Sequence, residues 1–295
     1  MSSQTFPTAP AANVRRRATW RASRLELETY GIATYEAGRS DPFAPVLVLV
    51  HGMGHGTQAA WSFVAAGFEE THRIVAFDLP GFGASDKPDL AYTLPFFSSV
   101  LREVVRDAGL TKFALVGHSL GGLIAADYAS RYPAEVRHLT LIAPAGFLRT
   151  PSLVLRVMGS GPVMRVLGAI RPSRGFARRT ARNAVFDPAS MPTEDAERVI
   201  DLALDPASTR AFLRVYAGAM NEMVHMRALH ARFAGRRTPT LLVWGRQDRF
   251  VPVRALATAR KIYPEAAVLE LDRCGHIPSI EYPEAVIDRM LATGA

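Results

Sequence analysis

Val46-Leu47-Val48-Leu49-Val50 is apolar at every position. A strand without a polar face is buried on both sides, which predicts a place at the centre of a parallel sheet. Upstream the pattern changes. Residues 24–28 and 32–36 alternate apolar with polar around a Tyr30-Gly31 break, predicting an antiparallel hairpin. Downstream, strands are predicted over 73–78, ended by Leu79-Pro80-Gly81, and over 112–116, with a helix over about 95–108 between them. A helix over 120–132 stops at Pro133, and a strand over 136–143 stops at Pro144. The order is a hairpin followed by repeated strand–helix units, an α/β sheet with parallel strands at its centre.

The rhythm then fails. Between about 147 and 236 no comparable strand is expected; 153–158, 163–170 and 194–203 read as helical, punctuated by Gly and Pro. Strands return at 240–244 and 267–271, and a helix over 283–293 closes the chain. The expected organisation is a mobile tail over 1–20, a core of 21–146 with 238–295, and a helical insertion over 147–237. No internal repeat or low-complexity segment interrupts it.

Composition narrows this picture. At 295 residues with 48% hydrophobic content, the chain can bury a large core. Cys274 is the sole cysteine, so no internal disulfide forms and no zinc-type Cys/His spacing exists. No run of about 18 apolar residues predicts a membrane span, so no stable insertion is expected. Arg15-Arg16-Arg17 is followed by no apolar stretch of signal-peptide type, so a cytoplasmic location and a solvated tail are expected.

The net charge of +8 is local. Residues 148–237 hold 15 arginines, no lysine and 7 acids, an excess of eight; the remainder balances 20 bases against 20 acids. No nucleic-acid motif accompanies the excess, so no nucleic-acid partner is expected. Apolar residues from Leu153 to Ile170 are interleaved with Arg156, Arg165 and Arg171. Two readings stay open: an acyl-chain pocket with arginines toward anionic lipid, or a helix buried against the sheet with arginines in water. The second is preferred.

The chemistry gathers at predicted strand ends. Gly117-His118-Ser119-Leu120-Gly121-Gly122 lies between a strand and a helix, the context of a nucleophile elbow. There the tight turn strains the serine backbone and lifts its hydroxyl above the sheet edge. A serine hydroxyl needs a base, and the base an orienting carboxylate. His276 follows the last strand and Asp248 the one before it, so both fall at the same edge in the order Ser, Asp, His. The loop His51-Gly52-Met53-Gly54-His55-Gly56 follows the first central strand. Backbone N–H groups of Met53 and Leu120 are the expected oxyanion donors. A phosphate-loop reading fails, because no Gly-Lys-Ser/Thr follows. His51 and His55 read as loop-packing residues rather than metal ligands, and neither metal nor organic cofactor is expected. His51, Gly52, His118 and Phe147 are the expected substrate-facing residues.

Together these residues resemble the α/β-hydrolase superfamily. The resemblance covers most of 25–146 and 238–294 and includes His51-Gly52, Asp78-Leu79-Pro80-Gly81-Phe82-Gly83-Ala84-Ser85, the elbow, Trp244-Gly245-Arg246-Gln247-Asp248 and Gly275-His276. It implies that the insertion is a helical cap over the site, where substrate is chosen. Epoxide hydrolases and haloalkane dehalogenases of that superfamily carry aspartate at the elbow; serine implies acyl transfer. Leu141-Ile142-Ala143-Pro144-Ala145-Gly146-Phe147 is similar to the monoacylglycerol-lipase-like branch of esterases and lipases. The implied function is cleavage of a small-molecule carboxylic ester through an acyl-enzyme on Ser119. The stretch Arg246-Gln247-Asp248-Arg249-Phe250-Val251-Pro252 also resembles C–C bond hydrolases of ring-cleavage products. Those carry Asn before the nucleophile, Gly-Pro-Gly-Ala in the oxyanion loop and Trp after the histidine; here stand His118, Gly54-His55-Gly56 and Ile277. That alternative ranks second, with perhydrolase, lactonase and triad-bearing receptor readings behind it. Oligomeric state and substrate are not legible in the chain.

Overall fold

A computed structural model describes residues 15–148, 172–223, 225–235 and 238–295. Eight strands form one sheet: β1 (Arg21–Glu26), β2 (Gly31–Gly38), β3 (Val46–Val50), β4 (Arg73–Phe77), β5 (Phe113–His118), β6 (Val136–Ile142), β7 (Thr240–Gly245) and β8 (Ala267–Leu271). Their order is β1-β2-β4-β3-β5-β6-β7-β8. The β1–β2 and β2–β4 pairs are antiparallel, whereas every pair from β4–β3 onward is parallel.

The apolar runs explain the centre of this order. Along β3, Val48 and Val50 enter one core and Leu47 and Leu49 the other. Along β5, Phe113 and Leu115 join the first core, Ala114 and Val116 the second. Successive side chains point to opposite faces, so a strand covered on both sides must be apolar throughout. Helices α1 (Thr57–Ala66), α2 (Leu94–Asp107) and α3 (Leu120–Arg131) alternate with these strands. In α2, Thr93 caps the N-terminus by accepting the Phe96 N–H, and a proline occupies its first turn, where no N–H is missed.

Between β6 and β7 the described residues form α4 (Arg174–Ala184), α5 (Thr193–Leu204), α6 (Pro206–Met223) and α7 (Met226–Phe233), with no strand among them. Helix α7 packs on α3, and α6 on α2. The chain ends through α8 (Leu256–Ile262), α9 (Pro278–Glu281) and α10 (Pro283–Ala292). The helical segments expected at 153–158 and 163–170, with Arg156, Arg165 and the interleaved apolar residues, lie outside the described residues, as does Arg171. Among the described helices none is long and apolar enough to cross a membrane.

Residues 15–17 depart from the solvated tail expected of them. Arg15 donates to the carbonyls of Ile280 and Glu281. Arg17 forks onto both oxygens of Asp195 at 2.7 and 3.3 Å, and Arg16 reaches Glu69 at 2.9 Å. The partners stand 53 to 266 positions away, so no local pattern announces them.

Candidate active site

Three loops at the C-terminal ends of the parallel strands build the site. At the end of β5 the chain turns so sharply into α3 that Ser119 takes φ 54°, ψ −117°, a left-handed conformation costly for any residue but glycine. Four backbone bonds hold the strain. Ser119 N–H donates to Ile142 O at 2.9 Å, and its carbonyl accepts from Gly122, Leu123 and Ala145. The flanking glycines answer a close approach. A Cβ on Gly117 would overlap the Gly121 carbonyl, and one on Gly121 would overlap the carbonyls of Val50 and His51. The elbow is thus wedged between β3 and the turn after β6.

After β7, Asp248 turns back under its own loop. One carboxylate oxygen accepts the N–H groups of Phe250 and Val251 at 2.8 and 2.9 Å. Trp244 closes this loop by donating its indole N–H to Val251 O at 2.8 Å. The other oxygen lies 2.7 Å from His276 Nδ1, and His276 Nε2 lies 3.0 Å from Ser119 Oγ. A carboxylate only accepts, so Nδ1 carries the proton and Nε2 presents its lone pair to the hydroxyl. The structure therefore brings Ser119, His276 and Asp248, taken from three loops, into one hydrogen-bonded chain. Asp248 and His276 are 5% and 9% exposed.

The 51–56 loop is held by the end of β4. Asp78 accepts from Thr57 N–H at 2.7 Å, Tyr35 O–H at 2.9 Å and Ala84 N–H at 2.8 Å. His51 donates from Nδ1 to Gly52 O and accepts the Leu79 N–H at Nε2. Gly52 abuts the nucleophile, since a Cβ there would stand 2.9 Å from Ser119 Cβ. Among the described residues no acceptor meets the backbone N–H of Met53 or of Leu120. The Leu120 N–H is one of the unpaired donors that open any helix.

Three expected substrate-facing residues are placed differently. His51 is 0% exposed and braces the loop. His118 is 1% exposed and donates from Nε2 to the His276 carbonyl at 2.8 Å, so it supports the histidine rather than facing a ligand. Phe147 is wholly buried, stacked on His230 and packed against Phe233 and Tyr263. Its position after an apolar strand signalled core as strongly as site. Phe250, not singled out in the sequence, lies with its ring centroid 5.4 Å from the His276 ring and is 46% exposed. A large apolar ring left in solvent beside a catalytic-type histidine is visible only in three dimensions.

His55, His118 and His276 pack ring against ring, with His51 against His55. Burial pushes His55 down to about 3, His118 well below its usual range and His51 downward, so these imidazoles are neutral. Among the described residues no three His, Cys, Asp or Glu groups converge as a metal-holding set. A cleft of about 580 Å³ opens beside His55, between Lys87 of the core and Arg198 of α5, but does not reach Ser119. Leu120 is flanked instead by Tyr92, Leu94, Phe97 and Leu123, which line a small apolar cavity.

The alpha/beta hydrolase family matches residues 47–289. An uncharacterized protein of Mycobacterium tuberculosis is 27% identical over 253 residues, 83% of this chain and 73% of that one. Lipase 1 of Psychrobacter immobilis is 28% identical over 83% of this chain and 75% of its own. A 2-hydroxymuconate semialdehyde hydrolase of a Pseudomonas species is 28% identical over 87% and 88%. Among solved structures, a membrane phospholipase A described as a bacterial virulence factor superposes with a TM-score of 0.76 at 27% identity, covering 93% of this chain and 85% of that one.

Proposed function

The chain belongs to the alpha/beta hydrolase family, and on that premise we propose that it is a serine hydrolase cleaving carboxylic esters through an acyl-enzyme on Ser119. The observation that carries the reading is the hydrogen-bonded chain from Ser119 Oγ through His276 to Asp248. In the mechanism, His276 Nε2 takes the Ser119 proton as the oxygen attacks the acyl carbon. Asp248 keeps the imidazole in the tautomer that can do so and stabilises the imidazolium. The N–H groups of Met53 and Leu120 receive the oxyanion, each donor contributing about 10²–10³ in rate. His276 then protonates the leaving alcohol, and water repeats the sequence on the acyl-enzyme. No step requires a metal or cofactor. The helices α4 to α7 act as the cap that selects substrate.

Similarity to a lipase and to a phospholipase A supports the ester reading. A second reading, hydrolysis of a C–C bond, is favoured by similarity to the semialdehyde hydrolase along 88% of that protein. A chain-length series of nitrophenyl esters tests the proposal, run beside a vinylogous 1,5-diketone acid. Ester turnover that vanishes in Ser119→Ala is the expected result. Cleavage of the diketone without ester turnover overturns it in favour of the second reading, and a single acylation per chain makes the protein a receptor.

A further inference from the structure

We propose that Glu281 is a positioning residue of this site: its carboxylate ties the loop bearing His276 to the segment after α4 and so fixes the imidazole against Ser119. The proposal rests on the triad reading above. Glu281 is 1% exposed. Its Oε1 accepts the Gly275 N–H at 2.8 Å and the Cys274 Sγ–H at 3.7 Å, and its Oε2 accepts the Phe186 N–H at 2.7 Å. Gly275 directly precedes His276, whose own N–H donates to Ala184 O at 2.7 Å. The 275–276 and 184–186 backbones are thus joined by one direct bond and by one carboxylate spanning both. The base of the triad is thereby coupled to the insertion proposed to select substrate.

Among the described residues no guanidinium, ammonium or imidazole lies within 4 Å of the Glu281 carboxylate. Arg15 spends its donors on the Ile280 and Glu281 carbonyls and faces Glu284, and Arg273 lies over the Phe186 ring. Cys274 touches Oε1, while Tyr282 adjoins Glu281 along the chain and Asp187 adjoins Phe186. Burial without a counter-charge pushes Glu281 up to about 7, against the pull of its backbone donors. Ionised, the group accepts from both loops. Protonated, one oxygen carries a hydrogen, and either Gly275 or Phe186 loses a good acceptor. Acid therefore loosens the joint in the range where esterases work.

Two measurements test this. The first compares pH profiles of ester hydrolysis for the wild type and Glu281→Gln, whose amide can serve only one of the two loops. The wild type is expected to show, in the acid limb of kcat/KM, a step of about tenfold with a midpoint at about 7 as Glu281 takes up its proton. Glu281→Gln is expected to lack that step in the limb and to show a kcat about tenfold lower above it, with KM within about twofold. An unchanged kcat and limb overturn the proposal, since a merely structural role lowers the melting temperature alone. The second needs no variant and no turnover: the amide ¹H–¹⁵N shifts of Gly275 and Phe186 in the resting wild-type protein. They are expected to titrate together with a midpoint at about 7; constant shifts between about pH 5.5 and 8.5 overturn the proposal. Titrating amides in a protein that cleaves no ester would leave the joint standing and remove the ester reading; flat amides in an active esterase would do the reverse.

Discussion

At the scale of the residue, the tautomer of His276 is the property on which the proposed chemistry turns. Asp248 Oδ2 accepts from Nδ1 at 2.7 Å, which leaves the lone pair of Nε2 toward Ser119. Asparagine at 248 could keep the two backbone bonds from Phe250 and Val251 through its own oxygen. It would then place an amide N–H₂ opposite Nδ1. The imidazole would turn its proton to Nε2 and its lone pair toward the amide, unable to accept from serine. Asp248→Asn is therefore expected to lower kcat by roughly 10⁴, with KM little changed and the fold intact. Single-turnover acylation with a nitrophenyl ester, beside circular dichroism, checks both halves. That Ser119, Asp248 and His276 fall at one sheet edge was legible in the sequence because each follows a predicted strand. The role of His118 was not, because its partner is a backbone carbonyl 158 positions away.

At the scale of the element, the elbow is a strand and a helix forced closer than side chains allow. Gly121 lies under the carbonyls of Val50 and His51, which are ladder backbone of a central strand and its loop and cannot retreat. Gly121→Ala is expected to cost about 3 kcal/mol, at the upper end for overpacking, because no rotamer change relieves a clash with backbone. That corresponds to a melting temperature lowered by roughly 5 °C in a chain of this size, together with lost activity. Gly175 in the first turn of α4 is the contrast. A Cβ there would come no closer than 3.9 Å to its nearest neighbour, Ser173 Oγ. Gly175→Ala should be neutral or stabilising by about 0.5 kcal/mol, since alanine has the better helix propensity. Thermal unfolding of the two variants side by side decides the matter. The central strands could be read because burial on both faces writes itself as unbroken apolar runs; their order in the sheet could not, because it is set by pairings between segments far apart in the chain. Helices such as α4 could not, since Arg174-Gly175-Phe176-Ala177-Arg178-Arg179 has too few apolar positions to show a period. It buries only Ala177 and Ala181, and Arg174 and Arg178 pair with Glu197 of the next helix at its half-exposed rim.

At the scale of the whole molecule, buried ionisable groups set how stability follows pH, and they pull in opposite directions. Burial lowers His51, His55, His72, His118 and His138; His55 reaches about 3 and His138 about 4, against 6.5 in the unfolded chain. Below pH 6.5 the unfolded chain takes up protons that these folded imidazoles refuse, so stability falls as pH falls. Between pH 6.5 and 5, His55 and His138 together account for a loss of up to about 4 kcal/mol, at about 1.4 kcal/mol per group per pH unit. Glu281 acts the other way. Its folded carboxyl sits at about 7 against 4.5 in the unfolded chain, so the fold binds the proton more tightly between those values. Its burial penalty is absent below about pH 4.5 and grows as pH rises toward 7. On acidification from 7 to 5 it therefore returns up to about 3 kcal/mol. The wild type should thus lose stability between pH 7 and 5 by less than its histidines alone dictate. Glu281→Gln, which cannot titrate, should lose it more steeply, and His138→Phe less steeply than wild type. Urea midpoints measured at pH 7 and 5 for the three proteins provide the check: equal shifts in all three would show that neither group carries the linkage assigned to it.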